Sequence, residues 1–390
     1  MSARETPQPL FGPRFSSYSA DEVGWLLKDL SDVSLEAPVE QREAAIQAKA
    51  AHYAESLPIE YQPSPQYQAL FAAALDESAD RVATAVGVVT ELLLAARERP
   101  PVLVSLARAG TPVGILMRRW ARFAHGLELP HYTASIVRGK GIDRVALRWL
   151  AERYDSADIA FVDGWTGKGA ITRELRAALD EVSTMDGLRF DPELAVLADP
   201  GGCVTLYGTR DDFLIPSACL NSTVSGLVSR TVLNDAYIGP DDFHGAKFYR
   251  ELAGVDVSNH FLDVITARFD AAHERVAAQR RRLESSDRSP DWRGQKVTAD
   301  LAGRYGIEDV NLVKPGVGET TRVLLRRVPW RVLVRPGAEA ELRHVLLLAE
   351  QRGVEVEAVP DLPYSCVGLI HPKYTAGATG ADGKRVVTVQ

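Results

Sequence analysis

The feature that most constrains this chain is a change of rhythm at Pro101, after which short apolar runs alternate with helical segments. PVLVSLAR (101–108) fits a buried strand, and GTPVGILMRRWARFAHG reads as a helix with Thr111 as N-cap and Pro112 at the first helical position. HYTASIV (131–137) reads as a second strand, followed by the loop RGKGIDR and the helical VALRWLAERY. DIAFVD (158–163) is a third, running into GWTGKG and the helix AITRELRAALDEV, and CVTLYG (203–208) is a fourth. Strands alternating with helices predict an α/β fold with a parallel sheet and helices on both faces. Ligands of such folds lie beyond the carboxyl ends of the strands. Attention therefore falls on the loops at 108–111, 138–144 and 163–170.

The flanks read differently. Residues 1–65 are a polar, helical lead-in, in which Ser19 and Glu22 have capping-box spacing before the apolar run Val23–Leu30. PIEYQPSP (58–65) is a loop, and residues 74–97 and 264–287 show the patterns of long helices. These elements predict one large domain over 1–285, a linker over 286–295 and a small α/β module over 296–390. In that module TRVLLRR, WRVLVRP and VEVEAVP read as strands and AEAELRHVLLLAEQRG as a helix. No stretch of 18 apolar residues is free of charge, which argues against a membrane span. The first residues lack the apolar core of a signal peptide. The three cysteines (Cys203, Cys219, Cys366) form no CxxC pair, which speaks against a disulfide framework or cysteine zinc site and fits the cytoplasm. Net charge is −7, yet residues 291–390 carry 14 Lys and Arg against 12 Asp and Glu. Six of those bases fall within Lys314–Arg335, a local excess able to meet phosphates or simply to face solvent.

Asp163-Gly164-Trp165-Thr166-Gly167-Lys168-Gly169 is the most informative segment. An acidic residue ends an apolar strand, and a Gly-rich turn opens a helix whose N-terminal amides suit an anion. Asp163 fits ribose hydroxyls or a metal, and Gly164, Thr166, Gly167, Lys168 and Gly169 a phosphate. Ala107-Arg108-Ala109-Gly110 and Arg138-Gly139-Lys140-Gly141 follow the first two strands, where basic groups beside glycines suit a second anion and a mobile lid.

The Asp163 loop resembles the ribose-5-phosphate loop of type I phosphoribosyltransferases, with Gly164 in place of their second acidic residue. The resemblance implies a pyrophosphate loop at Ala107–Gly110, a basic lid bearing Arg138 and Lys140, and Mg²⁺ held through substrate phosphates and Asp163. It implies as ligand phosphoribosyl pyrophosphate or a nucleotide-like molecule, with transfer of a phosphoribosyl group as the reaction. Over roughly 15–285, LARAGTPVG, SIVRGKGID, FVDGWTGKGAIT and DFLIPSACLNSTVSGLVSRT together resemble the StiP family of bacterial tellurite-resistance and stress clusters. That family is also named a cysteine protease, and the name brings forward a second chemistry, a Cys219 nucleophile with His244 or His260 as base. A lone cysteine flanked by apolar residues is also commonly a small core residue. Asn221, Ser222 and Thr223 equally suit the hood of a base-binding pocket. The family joins its large domain to a Pelota-like module, which TTRVLLRRVPWRVLV and DLPYSCVGLI resemble. The resemblance implies RNA as a partner of Arg322, Arg326, Arg327 and Arg331, with Trp330 as a stacking or a core residue. A nucleotide-sensing RNA-binding protein is the third reading, and a homodimer is compatible with all three. His125 and His131 read as packing or surface residues, and Asp211-Asp212 and Asp241-Asp242 as caps.

Overall fold

The computed structural model describes residues 7–37, 54–60 and 62–370, without the Arg326 side chain. Seven strands form the main sheet: β1 (Leu10–Phe11), β2 (Gly24–Leu26), β3 (Val102–Leu106), β4 (His131–Ala134), β5 (Ile159–Trp165), β6 (Leu194–Ala198) and β7 (Leu206–Thr209). Their spatial order is β1-β2-β4-β3-β5-β6-β7, with every neighbour parallel except the β1–β2 pair. Every residue of β3 is buried, as a central parallel strand covered on both faces must be. Alternation along the strand divides the core: Leu103 packs on one face, Val102, Val104 and Leu106 on the other.

The first face carries α1 (Pro65–Ala95) and α2 (Thr111–His125), while α3 (Arg144–Ala151) and α4 (Ala170–Asp186) cover the second. Further along the chain, α5 (Ser258–Thr266) and α6 (Phe269–Glu284) complete the first. Gly110 rather than Thr111 caps α2, and Gly126 in the left-handed region ends it. Asp143 caps α3 by accepting from the amides of Val145 and Ala146. None of the described helices is long and apolar enough to cross a membrane.

The C-terminal module contains α7 (Arg293–Arg304), β8 (Val313–Pro315), α8 (Val317–Arg326), β9 (Pro329–Val334), α9 (Arg343–Gln351), β10 (Glu355–Ala358) and β11 (Cys366–Ile370). Its sheet runs β8-β11-β9-β10. Leu301, Val313, Leu333, Val367 and Leu369 form a core of their own, whereas Val317, Leu324, Val332 and Val345 continue the first core of the large sheet. The module is thus packed onto the large domain.

Several expectations are corrected. The lead-in is not helical where it is described: Val23–Leu27 are buried without a polar face, and Gly24–Leu26 join the sheet beside β4. The Ser19 carbonyl accepts from the Glu22 amide in a turn instead of opening a helix. Residues 38–53 and 61 of that lead-in lie outside the described residues. The 264–287 helix is two helices, broken between Thr266 and Phe269. TRVLLRR belongs to a helix, because Val317, Thr320, Thr321 and Leu324 recur at helical spacing on its buried face. Leu194–Ala198 is an additional strand, and the fourth expected strand begins at Leu206.

In the order of the large sheet, β3 is flanked by the strand that follows it and by β5, so the chain's winding reverses between β3 and β5. Crevices form at such switch points, where successive loops diverge. That order is shared by many doubly wound sheets and does not single out the phosphoribosyltransferase architecture.

Candidate functional site

The loops leaving β3 and β5 meet at this switch point, and α8 of the C-terminal module closes the cleft they form. An inner cavity of about 220 Å³ is lined by Arg108 and Ala109, by Asp163, Gly164 and Trp165, by Ser217, Ala218, Leu220 and Asn221, and by Glu319 and Arg322 of α8, among others. A larger cavity of about 1010 Å³ adjoins it and shares Arg108, Leu220, Asn221, Glu319 and Arg322. The expected ligand face is therefore where the cleft lies.

Asp163 ends the buried part of β5 and accepts from the Gly164 amide at 2.7 Å. Burial pushes its carboxyl up to about 7, which one hydrogen bond only partly opposes. A group that titrates near neutrality in a cleft is suited to moving protons. Among the described residues no group of three His, Cys, Asp or Glu could hold a metal ion.

The glycine turn after Asp163 is packed against the chain. Thr166 is buried and donates to Asp199, and the Lys168 ammonium donates to the Val310 and Val313 carbonyls at 3.0 Å each. Burial, with Lys314 nearby, pushes the Lys168 ammonium down to about 8. A methyl on Gly201 or Gly294 would overlap the Gly167 carbonyl, and one on Gly169 would enter the Trp292 ring. The turn expected to cup a phosphate instead receives residues 199–203 and the start of α7. Gly201→Ala should destabilise the protein by about 1–3 kcal/mol through this overlap. An unfolding midpoint equal to wild type would show that the turn has room to yield.

The other expected groups fall as follows. Arg108 lines both cavities and donates to the Val228 carbonyl at 3.0 Å. Gly110 is needed for close packing, since a methyl there would meet the Val162 carbonyl at 2.5 Å. Arg138 and Lys140 are exposed on a loop whose Gly139 and Gly141 amides donate to Glu174.

Cys219 is 2% exposed and ends the short turn Pro216–Ala218, packed in the core on the α1 face. His244 is not brought to it: Nδ1 of His244 bonds the Ser135 hydroxyl, its amide donates to Asp143, and the adjoining Phe243 packs in the opposite core. His260 is exposed, His125 pairs with Glu91, and buried His131 bonds Ser105 and the Glu22 carbonyl.

Of the expected RNA contacts, Arg322 turns inward to the Ala218 and Leu220 carbonyls. Arg331 pairs with Glu355 and Glu357, and Trp330 packs edge-on to Tyr305. Arg327 is exposed at the larger cavity, and the side chain of Arg326 lies outside the described residues. Arg230 and Arg352, which also line that cavity, carry no local sequence signal. Asp212, expected as a cap, does cap a helix, but across the domain boundary: it accepts from the amide of Val317, the first residue of α8.

Residues 16–266 match the family described as the tellurite-like stress resistance cysteine protease StiP. This chain belongs to the StiP family. Its relative in Acinetobacter baylyi, the cysteine protease StiP, is 33% identical over 367 residues, 91% of this chain and 93% of the relative. Residues 292–372 match the PELOTA RNA binding domain, beginning at α7. A hypothetical protein from Neisseria gonorrhoeae, solved with bound ppGpp, is 14% identical with a TM-score of 0.21, covering 32% of this chain and 66% of its own. So slight a likeness assigns neither fold nor ligand. The StiP family name overturns the expectation of phosphoribosyl transfer and favours the thiol chemistry set beside it. The packed turn at Thr166–Gly169 agrees with that correction, because the Thr166 amide and hydroxyl and the Lys168 ammonium are spent on protein contacts.

Proposed function

We propose that this chain is a cysteine hydrolase acting on an acyl or peptide substrate in the cleft, with Cys219 as nucleophile and Asp163 as proton acceptor. The observation that carries the reading is the placement of Cys219 within Ser217–Asn221. The other four residues of that segment line the inner cavity together with Asp163.

Of the three cysteines, Cys219 alone lies in a segment whose neighbours line the inner cavity. Cys203 donates to the Gly167 carbonyl, and burial pushes its thiol up to about 12. Burial raises the Cys366 thiol as well, at the start of β11 in the module's sheet. Thiols so shifted yield almost no thiolate at neutral pH. In the proposed reaction Cys219 gives its proton to the Asp163 carboxylate, and the sulfur attacks the acyl carbon. Arg108 and Asn221 face the developing oxyanion. Collapse breaks the bond to the leaving amine, which takes the proton back from Asp163. Water then attacks the thioester, with Asp163 accepting its proton, and the acid leaves as the thiol re-forms. Because Cys219 packs inward, the Pro216–Ala218 turn must rotate to present the sulfur.

Screening the full-length protein against peptide and thioester substrates, with mass-spectrometric mapping of iodoacetamide adducts, tests this. Cys219→Ser should lower turnover by more than ~1000-fold and remove substrate-protected labelling, with folded Cys203→Ser staying near wild type. Full turnover in Cys219→Ser would exclude the assignment.

A further inference from the structure

The larger cavity has a charge pattern unlike the rest of the surface. Among its described lining residues are six cations, Arg108, Arg230, Lys314, Arg322, Arg327 and Arg352, and two carboxylates, Glu60 and Glu319. Many guanidinium groups elsewhere meet carboxylates, as Arg119 meets Glu22 and Asp263 and Arg144 and Arg148 both meet Asp186, although Arg250 also donates to a carbonyl, that of Arg14. In the cavity wall, by contrast, Arg108 donates to the Val228 carbonyl at 3.0 Å and Arg352 to the Leu325 carbonyl at 3.1 Å. A carbonyl fixes the direction of a guanidinium without cancelling its charge, leaving it ready for an anion. Of the two carboxylates, Glu60 already accepts from the amide and hydroxyl of Ser222, and Glu319 lies 3.9 Å from Arg322, so two carboxylates face six cations.

Two further observations point to a ligand. Thr223 stands in this cavity's wall and is 1% exposed, and its buried hydroxyl has no hydrogen-bond partner among the described residues, an arrangement that costs free energy. Lys314 is held below the usual ammonium range chiefly by burial; Glu319 opposes that shift, while the like charges of Arg327 and Arg138 add to it, and a bound anion would oppose it further. The cavity also offers apolar surface from Pro58, Ile59 and Leu348. Its volume of about 1010 Å³ is at the upper end of the range for small-molecule sites.

We propose that this interdomain cavity binds a nucleotide-sized ligand carrying two or more phosphate groups, clamped between Arg108 of the large domain and Lys314, Arg327 and Arg352 of the C-terminal module. Guanidinium forks from two domains suit multiple phosphate oxygens, and the apolar wall suits the remainder of the molecule. Since the cavity shares Arg108, Asn221 and Arg322 with the inner one, the ligand couples module position to the cleft. The site shares Arg108 with the proposed hydrolase cleft, but anion binding there does not depend on hydrolysis.

Calorimetric titration of the full-length protein with ATP, inorganic pyrophosphate, adenosine and a short oligo(A) RNA tests the proposal. ATP and pyrophosphate should bind saturably and in mutual competition, weakening as salt rises, and adenosine should not bind. Arg327→Gln and Lys314→Gln should each weaken ATP about tenfold, a change of ~1.4 kcal/mol, and ATP should raise the melting temperature of wild type more than of either variant. Arg327 is exposed, so that variant decides the matter should Lys314→Gln fail to fold. Absence of saturable ATP and pyrophosphate binding overturns the proposal, as does ATP binding that both variants leave unchanged. RNA binding that neither ATP nor pyrophosphate displaces, with neither of them binding alone, assigns the cavity to RNA and overturns it as well.

Discussion

Asp212→Ala should lower stability by about 3–5 kcal/mol, the larger share of it at the joint between the large domain and the C-terminal module. Asp212 is buried on the segment after β7, and its two carboxylate oxygens reach into the module. One accepts from the Val317 amide at 3.0 Å and the other from the Ser365 amide at 2.8 Å, while the Ser365 hydroxyl donates to the Asp212 carbonyl. Val317 opens α8, so the carboxylate supplies from another domain the cap that this helix lacks in its own sequence, where the positive end of the helix dipole favours an anion. Burial nevertheless pushes the carboxyl up to about 6, so these donors offset only part of the desolvation cost. Alanine strands two buried amides, those of Val317 and Ser365. Denaturant unfolding should show a lower midpoint, and limited proteolysis should cut the segment between α6 and α7 faster. A midpoint within experimental error of wild type would mean that the joint rests on apolar packing alone. Asp212→Asn keeps one acceptor and should fall between the two.

How far the sequence discloses this architecture depends on what each residue type must do. Central strands such as Val102–Leu106 and Ile159–Val162 are buried on both faces, so they read as apolar runs, interrupted only by Ser105, and were legible. Leu194–Ala198 carries the same signal, but no helix separates it from Leu206–Thr209, so the alternation of strand and helix that marks the others is missing there. In α8 the consecutive Val323, Leu324 and Leu325 obscure a helical face whose other members are Val317, Thr320 and Thr321. The glycine turn at 167–169 misleads for a related reason. Glycine permits close approach by anything, and a ligand phosphate and the protein's own Gly201, Trp292 and Gly294 leave the same mark in the sequence. Asp163 was legible because a lone acid ending a buried strand has few roles, and the cleft does form around it. The cationic cavity was only partly legible. Lys314, Arg322 and Arg327 fall in one basic run, but Arg108, Arg230 and Arg352 come from distant points that only the tertiary fold unites.

The pH dependence of stability offers the sharpest test of Asp163. Its native carboxyl titrates at about 7, against 3.8 for an unperturbed aspartate, because burial disfavours the charged form. Over that window the native state holds the proton and the unfolded state has released it. The stability contributed by this group is therefore complete below pH ~4 and lost as pH rises through ~7. The loss amounts to about 4 kcal/mol, since each pH unit between the two titration points is worth about 1.36 kcal/mol. Asp163→Asn cannot ionise and should lack this loss. The variant should match wild type near pH 4, gain on it steadily through neutrality and exceed it by a few kcal/mol at pH 8, as read by urea unfolding at fixed ionic strength. The same substitution should abolish hydrolysis at every pH, because the proton acceptor is gone. Stability curves that run parallel from pH 4 to 8 would mean that the carboxyl titrates normally, and would remove the reason for giving Asp163 a proton-transfer role. Diverging curves with hydrolysis intact would keep the buried acid and move the chemistry to another residue of the cleft.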